Sequence, residues 1–384
     1  MKLDFKMQKI CHLTTVHPRN DIRVFYKECV SLAYFGHDIN LVVADGKGND
    51  LIAGVKVHDI GKLQGRLKRI LLSSFWCYKK AVELNARLYH FHDPELLFVG
   101  LVLKLKGFNV VFDSHELTGR QIKRKFYIPK LLRNITSSIF EYIELGVSKR
   151  LDAIVVPQEA EMVSYFGQSN TKVEVLSNYV SLSEYKNFES KKGLSNKRNI
   201  KLLYSGTISN DRGLSNMLDL VEFLDERFQL ILVGGFASKM EQEKAKKHLG
   251  WEKVDYRGLL ERSELSSVYQ EADLGLILFN PVGQYKVSTS PLKLFEYLLY
   301  GMPVITPNYG AWPNFQNKHK VTFGQDVSNT NALAEIIYTL TNNDDLYSSI
   351  SHKGRDVVQR FYNWENESLK LNRLYEQILG EDHE

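Results

Sequence analysis

The chain has 384 residues, 43% of them hydrophobic and 25% charged, and a formal net charge of +5. That length exceeds one ordinary core and predicts two domains, and the apolar content excludes disorder as the default state. No apolar run reaches the ~18 residues a spanning helix needs, and the start "MKLDFKMQKICHLTT" lacks a signal-peptide core, so the expectation is a cytosolic protein.

Cys11, Cys29 and Cys77 are odd in number and have no Cys-x-x-Cys spacing, which predicts reduced, half-buried thiols. Residues 1–180 carry 26 Lys and Arg against 18 Asp and Glu; the remainder carries 24 against 27. A basic first half and a slightly acidic second half point to different partners. No nucleic-acid recognition motif accompanies the excess, so nucleic acid is not an expected partner.

Apolar strand-like runs alternate with helical patterns, which predicts α/β architecture with parallel sheets. In chain order the first half offers "KICHLT", "INLVVA", "RLYHFH", "NVVFD", "DAIVVP" and "KVEVL", with helical patterns such as "RVFYKECVSLAYFG" and "PELLFVGLVLKLKG" between them. The polar, lysine-rich stretch from Tyr179 to Asn199 reads as a linker. The second half offers "IKLLYSG", "FQLILVGG", "KVDYRG", "DLGLILF" and "PVITP", and is helical after about residue 328. The predicted organisation is 1–180, a linker at 181–199, 200–360, and a terminal helix at 361–384. Sheets of this kind bind ligands beyond the carboxyl ends of their strands, so the loops there carry the functional candidates.

In "LLYSGTISNDRGL", Gly206 permits close approach to the backbone, Thr207 follows it, and Arg212 supplies a charge suited to phosphate. In "STSPLKLFEYLLYGMPVIT", Ser288 and Ser290 precede a helix that Ser290 can cap, with Pro291 as its first residue. Its first turn, with Leu292 and Lys293, is an anion seat, and Glu296 one turn deeper can accept hydrogen bonds from a ribose diol. The alternative is a Lys293–Glu296 surface pair worth a few tenths of a kcal/mol. Three polar clusters follow strands in the first half: His17, Arg19, Asp21 and Arg23; His92, Asp93 and Glu95; Asp113, His115 and Glu116. Together they suit a polyhydroxylated substrate. The third glycine of a dinucleotide fingerprint, a G-x-x-x-x-G-K-[ST] loop, H-E-x-x-H, G-x-S-x-G and Asp-x-Asp are all missing, so neither a cofactor nor a metal is expected.

With "VHPRNDIRVFYKECVSLAYFGHDINLVV", "YHFHDPELL", "VVFDSHE", "LLYSGTISNDRGL" and "SPLKLFEYLLYGMPVI" in view, the chain resembles the retaining nucleotide-sugar glycosyltransferases of family 4. The likeness is to bacterial members that build O-antigen, capsule and exopolysaccharide. It implies the GT-B fold: two facing Rossmann-like doubly wound domains, the second binding a nucleoside-diphosphate sugar, the first an acceptor, and a C-terminal helix crossing back to the first. It implies that His115 approaches the donor sugar, Glu296 holds the ribose, and Arg212 replaces the family's phosphate-binding lysine. The paired-glutamate motif has Ser288 in its first position, and Thr207 stands where the family has an arginine.

These residues lead to an expected retaining, metal-independent transfer to a glycan or lipid-linked acceptor. Catalytic roles fall to His115 and Glu296. Donor binding falls to Gly206, Thr207, Arg212, Ser288, Ser290, Leu292 and Lys293, and the acceptor side to His17, Asp21, Arg23, His92 and Asp93. A nucleotide-sugar epimerase of the same fold and a non-catalytic sugar-nucleotide binder are the alternatives. Two basic, apolar-rich segments, Lys62 to Lys80 and Ile122 to Arg133 with Lys123, Arg124 and Lys125, predict peripheral attachment to the inner face of the cell membrane.

Overall fold

A computed structural model describes residues 7–65, 68–123, 129–157, 160–185, 191, 193–286 and 291–380. The chain divides into two compact units, one of residues 1–178 with 364–384 and one of residues 179–363. The stretch from Tyr179 to Asn199 lies within the second unit, and Tyr179, Val180 and Leu194 are part of its core.

The first unit holds eight strands in the order β3-β4-β2-β1-β5-β6-β7-β8. They are β1 (Lys9–Leu13), β2 (Asp38–Val43), β3 (Asp50–Ile52), β4 (Val55–Asp59), β5 (Leu88–Phe91), β6 (Asn109–Asp113), β7 (Ala153–Val156) and β8 (Lys172–Val175). All pairings are parallel except the β3–β4 hairpin. That hairpin is an element the sequence reading missed; it turns on Ala53 and Gly54, both at positive φ. Both faces of the sheet are covered, so its strands are apolar almost throughout. On one face, Cys11, Leu13, Tyr89 and Phe112 meet the helices Ser74–Leu84 and Leu97–Leu105. On the other, Ile10, Leu88 and Val111 meet the π-helical segment Ile22–Cys29 and the C-terminal helix Trp364–Gly380. That helix crosses back to the first unit through Leu371, Leu374 and Tyr375, and the Trp364 indole N–H donates to the Lys27 carbonyl at 3.0 Å. The three cysteines are free thiols and fully buried rather than half-buried.

The second unit has six parallel strands in the order β11-β10-β9-β12-β13-β14. These are β9 (Ile200–Ser205), β10 (Phe228–Val233), β11 (Val254–Gly258), β12 (Leu274–Leu276), β13 (Val304–Pro307) and the unforeseen β14 (Thr322–Gln325). Counted within the unit, this is the doubly wound order 3-2-1-4-5-6, whose switch point lies between β9 and β12. The first unit contains the same order in β4-β2-β1-β5-β6-β7, flanked by β3 and β8, with the switch between β1 and β5. Ligand sites of such sheets open at the switch point, so the loops after these four strands matter most. Among the described residues, no helix is long and apolar enough to cross a membrane.

Candidate functional site

In the second unit β9 ends at Ser205 and the backbone turns at Gly206, which has φ +124°. A Cβ placed on Gly206 would lie 2.9 Å from Lys293 Nζ and 3.6 Å from Arg212 Nη1. Two cations therefore converge over one glycine at the switch point. Arg212 belongs to the short turn Asn210–Arg212, which Ser209 caps. Its Nε donates to Tyr285 Oη at 2.9 Å, which fixes the guanidinium plane. Gly213, at φ +85°, then starts the helix Leu214–Phe223 hard against the Leu278 carbonyl, where no side chain fits.

Lys293 comes from the helix Leu292–Leu299. Here the structure corrects the expected boundary. Pro291 is extended (φ −70°, ψ 156°) and is itself the N-cap, so it is not the first helical residue. Proline suits that place because its own missing N–H would have no intrahelical acceptor there. Lys293 is 9% exposed, and its ammonium lies 3.9 Å above the Tyr204 ring and 5.4 Å from the Phe279 ring. It makes no hydrogen bond among the described residues. Burial, and then the Arg212 cation, push its pKa well below the usual ammonium value. A ring face returns ~2 kcal/mol to a desolvated cation, less than its burial costs.

Glu296 is 5% exposed, so the surface-pair alternative for Lys293 and Glu296 is excluded. Glu296 Oε2 accepts from Tyr269 Oη at 3.0 Å, and Oε1 lies 3.4 Å from Tyr185 Oη and 3.8 Å from Arg262 Nη2. Ser205 ties this group to the sheet: Tyr297 Oη accepts from its N–H at 2.7 Å, and Tyr269 Oη lies 3.1 Å from its hydroxyl. Sequence reasoning missed Tyr204, Tyr269, Tyr285 and Tyr297. Tyr297 carried a usable signal, four residues after Lys293 on the same helix face. Thr207 is exposed, with its carbonyl accepting from Tyr204 Oη at 2.8 Å, and Leu292 is half-buried.

In the first unit the loops after β1, β5 and β6 assemble one polar group. Asp93, 1% exposed, accepts from Thr14 Oγ1 at 2.9 Å and from the Val16 N–H at 3.1 Å, which closes the turn after β1. Arg23 is buried and grips Asp113 through Nε and Nη2 at 3.0 and 3.1 Å. His92 is buried as well, its Nδ1 3.5 Å from Asp113 Oδ2. These three candidates shape the edge from beneath. His17, Asp21 and His115 keep 25%, 23% and 23% side-chain exposure. His115 Nε2 lies 3.3 Å from Asp113 Oδ2, and its ring centre is 4.9 Å from that of His17. Burial works against charge on His17, but Asp21, Asp93 and Asp113 outweigh it and raise its pKa. Arg19 is instead structural, with two bonds of 2.7 Å to Asp45. Lys123 is exposed, its Nζ 3.5 Å from Glu141. Ser288, Ser290, Arg124 and Lys125 lie outside the described residues.

Residues 186–357 match the family model described as glycosyl transferases group 1. In fold, the chain is similar to sucrose-phosphate synthase from Thermosynechococcus elongatus at a TM-score of 0.70 and 17% identity, over 97% of this chain and 99% of that one. It is similar to Anabaena HepE in complex with UDP at a TM-score of 0.69 and 14% identity, over 96% and 100%. It is also similar to WaaG, a glycosyltransferase involved in lipopolysaccharide biosynthesis, at 0.66 and 14%, over 94% and 98%. No curated protein matches it in sequence. The two Rossmann-like units have the GT-B fold, and the matched model supports a glycosyltransferase.

Proposed function

We propose that the protein transfers a sugar from a nucleoside-diphosphate donor to an acceptor hydroxyl with retention of anomeric configuration. The observation that carries this reading is the convergence of Arg212 and Lys293 over Gly206 at the switch point of the second sheet. A diphosphate satisfies both cations, and Glu296 one turn deeper serves the ribose. As the glycosidic bond breaks, negative charge grows on the departing phosphate oxygen, and cations already in place stabilise it. With Ser288 where the resembled family has a glutamate, the reading assigns no carboxylate nucleophile. The departing phosphate oxygen takes the acceptor proton on the same face. Arg212 and Lys293 neutralise the leaving group, so no metal is assigned to the step. His115 is assigned to the donor sugar, and the exposed edges of His17 and Asp21 to acceptor hydroxyls.

The acceptor is read as lipid-linked and the site of action as the cytoplasmic membrane surface, in synthesis of a bacterial surface polysaccharide. Support comes from the two basic segments. In the first, Leu71, Leu72, Phe75 and Trp76 are 46–68% exposed, with Lys79 Nζ 5.0 Å from the Phe75 ring. Beside the second, Leu132, Ile135, Ile139 and Tyr142 of the helix Lys130–Ser148 are 49–81% exposed. Apolar side chains left in water beside lysines suit an interface better than a core.

HepE is described with UDP and with UDP-glucose, which makes uridine donors the first to try. The test is incubation with a panel of nucleotide sugars and polyprenyl-diphosphate-linked acceptors, with the anomeric configuration of the product read by NMR. An inverted product, or donor turnover equally fast without acceptor, overturns the reading.

A further inference from the structure

On the face of the first sheet that meets the C-terminal helix, the inward positions run Ile10 then His12 on β1, and Leu88 then His90 on β5, with His92 just beyond. An apolar face is thus replaced by three fully buried imidazoles. The segment Ile22–Cys29 lowers Glu28, also 0% exposed, onto them. Glu28 Oε2 lies 3.9 Å from His12 Nδ1, His90 Nδ1 and His92 Nε2. Among the described residues neither Glu28 oxygen accepts a geometrically good hydrogen bond; Oε1 lies 3.2 Å from the Arg23 guanidinium, and Asp113 is close by. A carboxyl group buried against three imidazoles carries its charge at a cost that a bound cation would offset.

From this geometry we infer a buried binding site for a zinc-like divalent cation, formed by His12 Nδ1, His92 Nε2 and Glu28 Oε2, with His90 beside them and its Nδ1 bonded to Tyr375 Oη at 2.5 Å. His12 Nδ1 and His92 Nε2 are 3.0 Å apart and each is 3.9 Å from Glu28 Oε2. A point equidistant from those three atoms lies about 2.1 Å from each, the length of a zinc–nitrogen bond. The outer contacts fit the same assignment. His12 Nε2 faces Tyr375 Oη at 3.3 Å, and His92 Nδ1 faces Asp113 at 3.5 Å. Each ring thereby turns its other nitrogen to the ion, as ligating histidines do. Because Tyr375 belongs to the C-terminal helix, the ion would tie that helix to β1 and β5. It is a structural site and does not depend on the transferase reading.

The test uses the untagged full chain with His248→Gln, which removes the exposed Asp219–Glu222–His248 group as a competing site. Metal content is measured after purification without chelator. The protein is then stripped and titrated with zinc by calorimetry, and melting is followed with and without the ion. One zinc per chain is expected, with a melting temperature raised by it. Tyr375→Phe is expected to lower zinc affinity roughly ten- to a hundredfold, and Glu28→Gln by at least as much. No zinc bound, or equal affinity in either folded variant and the parent, overturns the site. Should Glu28→Gln fail to fold, Tyr375→Phe decides alone.

Discussion

Lys293 places its ammonium 3.9 Å above the ring of Tyr204, buried and without a hydrogen bond among the described residues. Burial and Arg212 depress its pKa in the folded state relative to the unfolded chain. The unfolded state therefore binds more protons between the depressed value and about 10.5, and stability rises with pH through that window. Below the window the charged Lys293 opposes folding. Lys293→Met is accordingly expected to raise the melting temperature at neutral pH while abolishing tight nucleotide binding. A variant that melts lower than the parent and still binds would show that the side chain is structural.

The same depression couples binding to protons. A diphosphate beside Lys293 raises its pKa, so binding takes up a proton wherever the free lysine is partly neutral. Affinity should then fall as pH rises above the free pKa. Calorimetric enthalpies in two buffers of different ionisation enthalpy should differ in the direction of uptake, and should not differ in Lys293→Met.

Gly206 is the other half of the seat. Alanine there adopts φ +124° against its preference and its Cβ meets Lys293 Nζ. Strain of that kind costs about 1–3 kcal/mol, and the displaced ammonium loses its aim. Gly206→Ala should fold, melt lower and bind nucleoside diphosphate at least tenfold more weakly. Unchanged affinity would place the ligand elsewhere.

His115→Ala is expected to reduce turnover by far more than it weakens nucleoside-diphosphate affinity, since the sugar rather than the diphosphate is its assigned contact. Steady-state kinetics beside calorimetry separates the two. Turnover should also need no added magnesium; strict dependence on it would contradict the role given to Arg212 and Lys293.

For membrane attachment, co-sedimentation with anionic vesicles at low salt should recover the protein and fall with added salt. Phe75→Ser with Trp76→Ser should release it, as should the change of Lys123, Arg124 and Lys125 to Glu. A wild-type chain left in the supernatant with anionic and neutral vesicles alike ends the claim without touching the transfer reaction.

Strand periodicity made both sheets legible, because parallel strands buried on two faces read as unbroken apolar runs. The β3–β4 hairpin and β14 were not legible: Leu51 is 68% exposed on an edge, and β14 is short and mostly half-buried. Gly206, Arg212 and Lys293, which the structure brings together, could be singled out because each lies at a strand end or helix start. Tyr285, which orients Arg212, and Tyr269, which bonds Glu296, could not, since they come from segments with no local motif. Arg23, His92 and Asp93 looked like substrate contacts because a polar residue after a strand reads the same whether it faces solvent or the turn beneath it. Only their partners, Asp113, Thr14 and Val16, decide.

The most direct test of the central claim is calorimetric titration of UDP, GDP, dTDP and ADP into the wild-type protein, Arg212→Ala and Lys293→Ala. At least one nucleotide should bind the wild type, and each substitution should cost it about 1.5–3 kcal/mol, the worth of a charge-assisted bond in a desolvated site. Folding should be intact in both variants by circular dichroism. Affinity unchanged in both, or no binding of any nucleoside diphosphate to the wild type, would contradict the assignment of this site to a nucleotide-sugar donor.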